Sequence, residues 1–113
     1  MDCIFCKIAQ GEIPAKVIWQ NDELLAFHDI SPQAPTHALI IPRTHIANLN
    51  SAAEDQETLL GRMLLAANKV AAELGIEKTG YRLVINHGRD GMQTVPHLHI
   101  HLLGGRMLTW PPG

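Results

Sequence analysis

Positive charge is scarce in this sequence: nine lysines and arginines stand against eleven aspartates and glutamates, the formal net charge is -2, and the basic residues are scattered. Without a basic face the chain carries no electrostatic footprint for nucleic acid or an anionic membrane, so neither is an expected partner. A small charged ligand stays within reach of that balance. Long apolar runs are missing too, and nothing approaches the roughly 20 residues that a membrane-spanning helix needs. Met1-Asp2-Cys3 has neither the basic nor the apolar region of a secretory signal, and a soluble, cytoplasmic protein is expected. No repeat, low-complexity tract or linker interrupts the 113 residues. One domain, 1–113, with a single core is therefore expected, and any active site is built on that core or shared with a second copy. Cysteine is scarce as well, confined to Cys3 and Cys6. In a reducing compartment a C-x-x-C pair is more often a metal-ligand or redox pair than a structural disulfide. Zinc takes four ligands, so partners for this pair would have to be histidines.

The elements follow from periodicity and turn chemistry. Asp2 is placed to cap a short helix over Ile4–Ala9 that Gly11 ends, with Phe5 and Ile8 turned inward. Segments 16–20 and 23–28 flank the turn-prone pair Asn21-Asp22 and read as a hairpin. The two prolines of segment 29–36 forbid regular pairing, which makes it a loop leading into a strand over 37–42. Ser51-Ala-Ala-Glu54 reads as a capping box before one long amphipathic helix. Its apolar positions are Leu59, Leu60, Met63, Leu64, Ala67, Val70, Ala71 and Leu74, and Gly75 stops it. Strands over 81–86 and 97–103 then surround a glycine-bearing loop, 87–95. The order predicts an α+β domain: an antiparallel sheet of about five strands with helices on one side.

The stretch HLHIHLL over 97–103 is the unusual feature. On a strand, successive side chains alternate faces, so Leu98, Ile100 and Leu102 point to the core and His97, His99 and His101 to the other side. At about 3.3 Å per residue the outer pair lie roughly 13 Å apart, too far for all three to bind one metal. Three readings are open: histidines on a wet sheet face, an H-x-H pair in a catalytic metal site, or an imidazole nucleophile, unprotonated near pH 7 and able to attack phosphorus. Loop 86–94 (NHGRDGMQT) favours phosphate chemistry, because its glycines let backbone N–H groups approach an anion. It is no P-loop, since no G-K-[ST] closes it.

The pattern His97-x-His99-x-His101-x-x resembles the motif of the histidine triad family of nucleotide hydrolases and transferases. The resemblance extends to AFHDISPQAPTH over 26–37, LGGR over 103–106 and WPPG over 110–113, and is strongest to the histidine triad nucleotide-binding (Hint) branch. It implies a homodimeric purine nucleoside phosphoramidase that cleaves the P–N bond of adenosine or guanosine 5'-phosphoramidates, releasing AMP or GMP and an amine. His99 matches the nucleophile, His101 contacts phosphate oxygens, and His97 and His37 support the nucleophile's orientation. Asn86, Met92, Gln93 and Thr94 match the phosphate side, and Asp29 the carboxylate on the ribose hydroxyls; without the resemblance Asp29 also reads as a turn-starting residue before Ser31-Pro32. Phe5, Ile8, Phe27, His28 and Ile30 match the base pocket, and Trp110 the contact to the leaving group. Two departures stand out: Met92 where the branch usually has glycine, and Pro96 where an aromatic residue is common. Some relatives hold a structural zinc through a set that matches Cys3, Cys6, His45 and His97; two free thiols in the core are the alternative. No cofactor is expected in the chemistry itself. Alternatives are a dinucleoside polyphosphate hydrolase of the same family, a nucleotide-binding interaction module with residual hydrolysis, and a metal hydrolase.

Overall fold

The structure, a computed structural model, describes residues 3–113. Asp2, the expected helix cap, lies outside the described residues. The cap seen is Cys3, whose Sγ accepts from the Cys6 N–H at 3.3 Å at the start of α1 (Ile4–Ala9).

Helix α1 leads into strands β1 (Val17–Gln20), β2 (Leu24–His28) and β3 (Thr36–Pro42). Two 3-10 turns, Leu49–Ser51 and Glu54–Gln56, then precede α2 (Glu57–Glu73), β4 (Tyr81–Val84) and β5 (Ile100–Gly104). All neighbouring strands are antiparallel, in the order β1-β2-β3-β5-β4. The β1–β2 connection works without glycine because Asn21 Oδ1 accepts from the N–H groups of both Glu23 (2.9 Å) and Leu24 (2.8 Å), so the asparagine side chain closes the turn.

Alternation along the strands supplies two cores. Ala38 and Ile40 of β3 join Ile100 and Leu102 of β5 under α2, where Met63, Ala66, Ala67, Val70 and Ala71 are buried. Leu39 and Ile41 point the other way and pack with Leu25, Phe27, Cys3 and Phe5. The two helices therefore lie on opposite faces, not on one side as the element order suggested. Six residues are too short for helical periodicity to announce a face, and the covering work of α1 is done mainly by Phe5.

Three further expectations are corrected. Ser51 and Glu54 do not form a capping box: Asn48 Oδ1 takes the Ser51 N–H at 2.9 Å, and Gln56 Oε1 takes the Ala53 N–H at 2.8 Å, so two 3-10 turns precede α2. In α2, Leu64 is 46 % exposed and Ala66 occupies the core position instead, because the buried stripe runs through 63, 66, 67, 70 and 71. Strand β5 begins at Ile100, so of the motif histidines only His101 is in it. His97 and His99 keep the strand's alternation without its ladder: the Leu98 N–H reaches across to the Ile46 carbonyl at 2.6 Å and its side chain enters the α2 core.

Candidate active site

The histidine face is not wet. His97 and His99 are buried, and the Phe5 ring covers both, at 5.8 and 5.2 Å between centroids. His37 joins them from β3. It pairs with Leu103, which puts it on the same face as His101 and diagonal to it, and His37 Nε2 lies 2.9 Å from His101 Nδ1.

Backbone groups fix the tautomers. The Gln33 N–H can only donate, and it reaches His37 Nδ1 at 3.0 Å. A neutral His37 therefore carries its proton on Nε2 and donates it to His101 Nδ1, which leaves the His101 proton on Nε2. Carbonyls can only accept. The Pro42 carbonyl takes Nε2–H of His97 at 2.8 Å, and the His97 carbonyl takes Nδ1–H of His99 at 2.7 Å. His97 is left with a lone pair on Nδ1, and His99 with a lone pair on Nε2. Burial holds the pKa of His101 down to about 4, with the neighbouring His99 and His37 adding to the effect and Asp29 opposing it. Burial likewise lowers His37, against the pull of Asp29, and His97, against its bond to Pro42. These three rings are neutral near pH 7, which is the state the tautomer chain requires.

A cavity of about 710 Å³ opens beside His37, bounded by Lys16, His28, Asp29, Ile30, Pro32 and Pro35, among others. Asp29 sits between two duties. Its Oδ1 accepts from the Ser31 N–H at 2.8 Å, the turn-starting role, and its Oδ2 lies 3.4 Å from His37 Nε2. Ile30 is 96 % exposed, as an open apolar wall would be. Phe5 and Phe27 are buried in edge-to-face contact and do not bound the cavity, and Ile8 is half-buried against the same cluster.

The loop between β4 and β5 is tightly turned. Gly88 has φ +71°, and a Cβ at Gly91 would collide with the His87 backbone. Met92 has φ +63°, so the position where the resemblance expects glycine does adopt the left-handed conformation, with its side chain out in solvent. Both amide hydrogens of Gln93 are engaged, by the carbonyls of Ala47 (2.8 Å) and Val95 (2.9 Å). Gln93 thereby anchors the loop. Asn86 is half-buried and Thr94 exposed. Trp110 is exposed in the tail, with the Arg82 guanidinium 5.6 Å from its ring centre.

Among the described residues, two groups of side chains converge closely enough for a metal. Cys3, Cys6, His45 and His97 bring their donor atoms within 4.8 Å of one another. Sγ of Cys3 is 3.2 Å and Sγ of Cys6 3.6 Å from His97 Nδ1, and Sγ of Cys6 is 3.4 Å from His45 Nδ1. Tetrahedral zinc at ordinary bond lengths spaces its ligands about 3.4 to 3.8 Å apart, so this set fits. Pro42 secures the fit by turning the His97 lone pair toward the thiols. Burial and the neighbouring Cys3 raise the Cys6 pKa, a proton that a cation would displace. The second group is Asp29, His37 and His101. Here the same logic argues the other way, because His37 aims an N–H, not a lone pair, at the point where a metal would sit.

Sequence reasoning assembled the histidines but missed Gln33, Pro42, Lys16 and Pro32. The first two act through backbone atoms, which carry no side-chain signal; the other two bound a cavity that exists only once the 29–36 loop is folded.

The HIT domain family's pattern matches residues 10–108. An uncharacterized HIT-like protein of Synechococcus elongatus is 54 % identical over 112 residues, 99 % of this chain and 97 % of that one. A HIT family hydrolase from Legionella pneumophila superposes with a TM-score of 0.96 at 55 % identity, covering 99 % of this chain and all of the other. A histidine triad nucleotide-binding protein from Candida albicans superposes with a TM-score of 0.83 at 34 % identity, over 97 % of this chain and 83 % of its own.

Proposed function

Since this chain belongs to the HIT domain family and its neighbours support a hydrolase in general terms, we propose that it hydrolyses the P–N bond of purine nucleoside 5'-phosphoramidates through a nucleotidyl intermediate on His99. One observation carries the reading: the His97 carbonyl holds Nδ1–H of His99, so Nε2 is the nitrogen that turns a lone pair to the substrate. That atom attacks the α-phosphorus. Nε2–H of His101 donates to a phosphoryl oxygen as charge builds there. The P–N bond breaks as nitrogen takes a proton from solvent and leaves as the amine. Water then attacks the phosphorus and gives up a proton to solvent, the bond from phosphorus to His99 Nε2 breaks, and AMP or GMP leaves with that lone pair restored. The cavity beside Asp29 receives the nucleoside, the Asp29 carboxylate accepting from the ribose hydroxyls and the proline and Ile30 walls lying against the base.

Zinc fits the cysteine–histidine set and, when bound there, ties the N-terminal helix to the stem of the nucleophile. It takes no part in the reaction, because His99 and His101 lie outside its ligand set. The chain acts as a homodimer. A groove of about 180 Å³ between α2 and the segment just after β4 is bounded by apolar residues alone, including Leu49, Leu64 and Ile85, and β4 is an open sheet edge.

The test is AMP release from adenosine 5'-phosphoramidate by the purified protein, by His99→Ala, and by a chelator-treated sample. Expected are turnover, its loss by at least about a thousandfold in His99→Ala, and a chelator effect on stability alone. Full activity in His99→Ala would overturn the covalent route. Faster hydrolysis of a diadenosine polyphosphate would move the assignment to a P–O bond.

A further inference from the structure

We propose that Cys3 and Cys6 form a redox couple: hydrogen peroxide converts the two free thiols to an intramolecular disulfide, and the disulfide releases α1 from the histidines that tie it down. Such a couple works whatever substrate His99 attacks. The Cys3 side chain is folded back over the first turn of α1, where its Sγ accepts from the Cys6 N–H at 3.3 Å. Both sulfurs belong to one cluster of donor atoms, none more than 4.8 Å from another. Bringing them to a bond of about 2 Å needs side-chain rotation alone, because residues three apart at the start of a helix already lie within the span that a disulfide bridges. The chain has no third cysteine, so each sulfur has a single partner within the molecule.

Exposure orders the steps. Cys6 is half-buried and Cys3 only 4 % exposed, so Sγ of Cys6 attacks the peroxide first. The O–O bond breaks, one oxygen stays on the sulfur as a sulfenic acid, and the other leaves as water with the thiol proton. Sγ of Cys3 then attacks Sγ of Cys6, the S–O bond breaks, and a second water carries away that oxygen and the Cys3 proton. Burial raises the Cys6 pKa, which makes this a slow, stoichiometric oxidation and not a peroxidase cycle. Three contacts are undone together. As thiols, Cys3 and Cys6 lie 3.2 and 3.6 Å from His97 Nδ1, and Cys6 lies 3.4 Å from His45 Nδ1. A disulfide sulfur has no proton to donate and no charge to ligate with. His97, its Nε2–H still held by the Pro42 carbonyl, is left with a buried acceptor that has lost its donor, and the set that fits zinc keeps only its two histidines. A helix of six residues has little stability of its own to fall back on.

The experiment exposes the full chain, zinc-stripped and zinc-loaded, to hydrogen peroxide and reads intact mass, free thiols and released zinc. The stripped protein is expected to lose two hydrogens in mass and both free thiols, with Cys3 linked to Cys6 in the fragment that ends at Lys7, and dithiothreitol should restore it. Sulfurs engaged by zinc are shielded, so the loaded protein should react at least about tenfold more slowly and give up its zinc as the thiols disappear. Amide exchange at residues 5–10 should quicken on oxidation and recover on reduction, while α2 stays unchanged. Cys3→Ser and Cys6→Ser should each gain oxygen on the remaining thiol without losing two hydrogens; should neither fold, the mass of the unaltered protein decides. A gain of oxygen without a disulfide in the unaltered protein overturns the proposal, as does a product that links two chains, or a disulfide that leaves exchange in α1 as it was. A chain that takes up no zinc refutes the zinc site, and the thiol and exchange measurements still decide the couple. No turnover enters any of these readings, so a failed phosphoramidase assay leaves them standing.

Discussion

Protonating His101 in the folded chain means charging a buried ring that also lies beside two other imidazoles, which is why its pKa falls from 6.5 to about 4. An unfolded chain binds that proton more readily between these values, so stability is complete above about pH 6.5 and falls as the pH drops from 6.5 toward 4. His37 and His97 are lowered as well and act in the same direction. Urea unfolding across this range should show the midpoint falling with pH, and His101→Gln should flatten the slope. A midpoint independent of pH would contradict the buried neutral tautomers. The residue scale is also where the sequence was most legible. Side-chain type and two-residue spacing put His97, His99 and His101 on one face, and it was the family resemblance that matched Cys3, Cys6 and His45 to His97. Which nitrogen carries each proton was not legible, since that is set by the Gln33 N–H and by the carbonyls of Pro42 and His97, groups every residue possesses.

Among the elements, α1 is short enough to depend on its ties. Removing zinc from a loaded protein should lower the melting temperature by at least about 4 °C, the shift that 1 kcal/mol makes in a domain near this size. Hydrogen exchange should quicken at the amides of residues 5–10 and stay unchanged in α2, whose stability comes from its own buried stripe. Protection of α1 that is indifferent to chelation would mean that packing of Phe5 alone seats the helix. Element boundaries were read less well than element types. The alternation of 97–103 is real, yet its first half pairs with no sheet neighbour, because the Leu98 N–H is taken by Ile46 from the β3–α2 connection. Periodicity reports which way side chains point and is silent on which backbone accepts the hydrogen bonds.

For the whole molecule, the proposed homodimer would seat its second copy on the apolar groove between α2 and the segment just after β4. Sedimentation of the unaltered protein should give two chains, and Leu64→Asp, which puts a carboxylate on an exposed rim of that groove, should give one of 12.4 kDa. A single-chain mass for the unaltered protein would remove the dimer. Sheet order and the two-faced core were only half legible, since an antiparallel sheet with one obvious amphipathic helix looks one-sided until Phe5 is placed. Strand β3 carries His37 at its second residue and the Pro42 carbonyl at its last, so the proton order at both ends of the site is set by one segment. Because side chains alternate, sliding β3 by a single residue would turn His37 into the α2 core and move the acceptor away from His97. The gene can thus absorb added or lost codons around 49–56, where only 3-10 turns are built, but a one-codon insertion or deletion within 36–42 would erase both histidine alignments together.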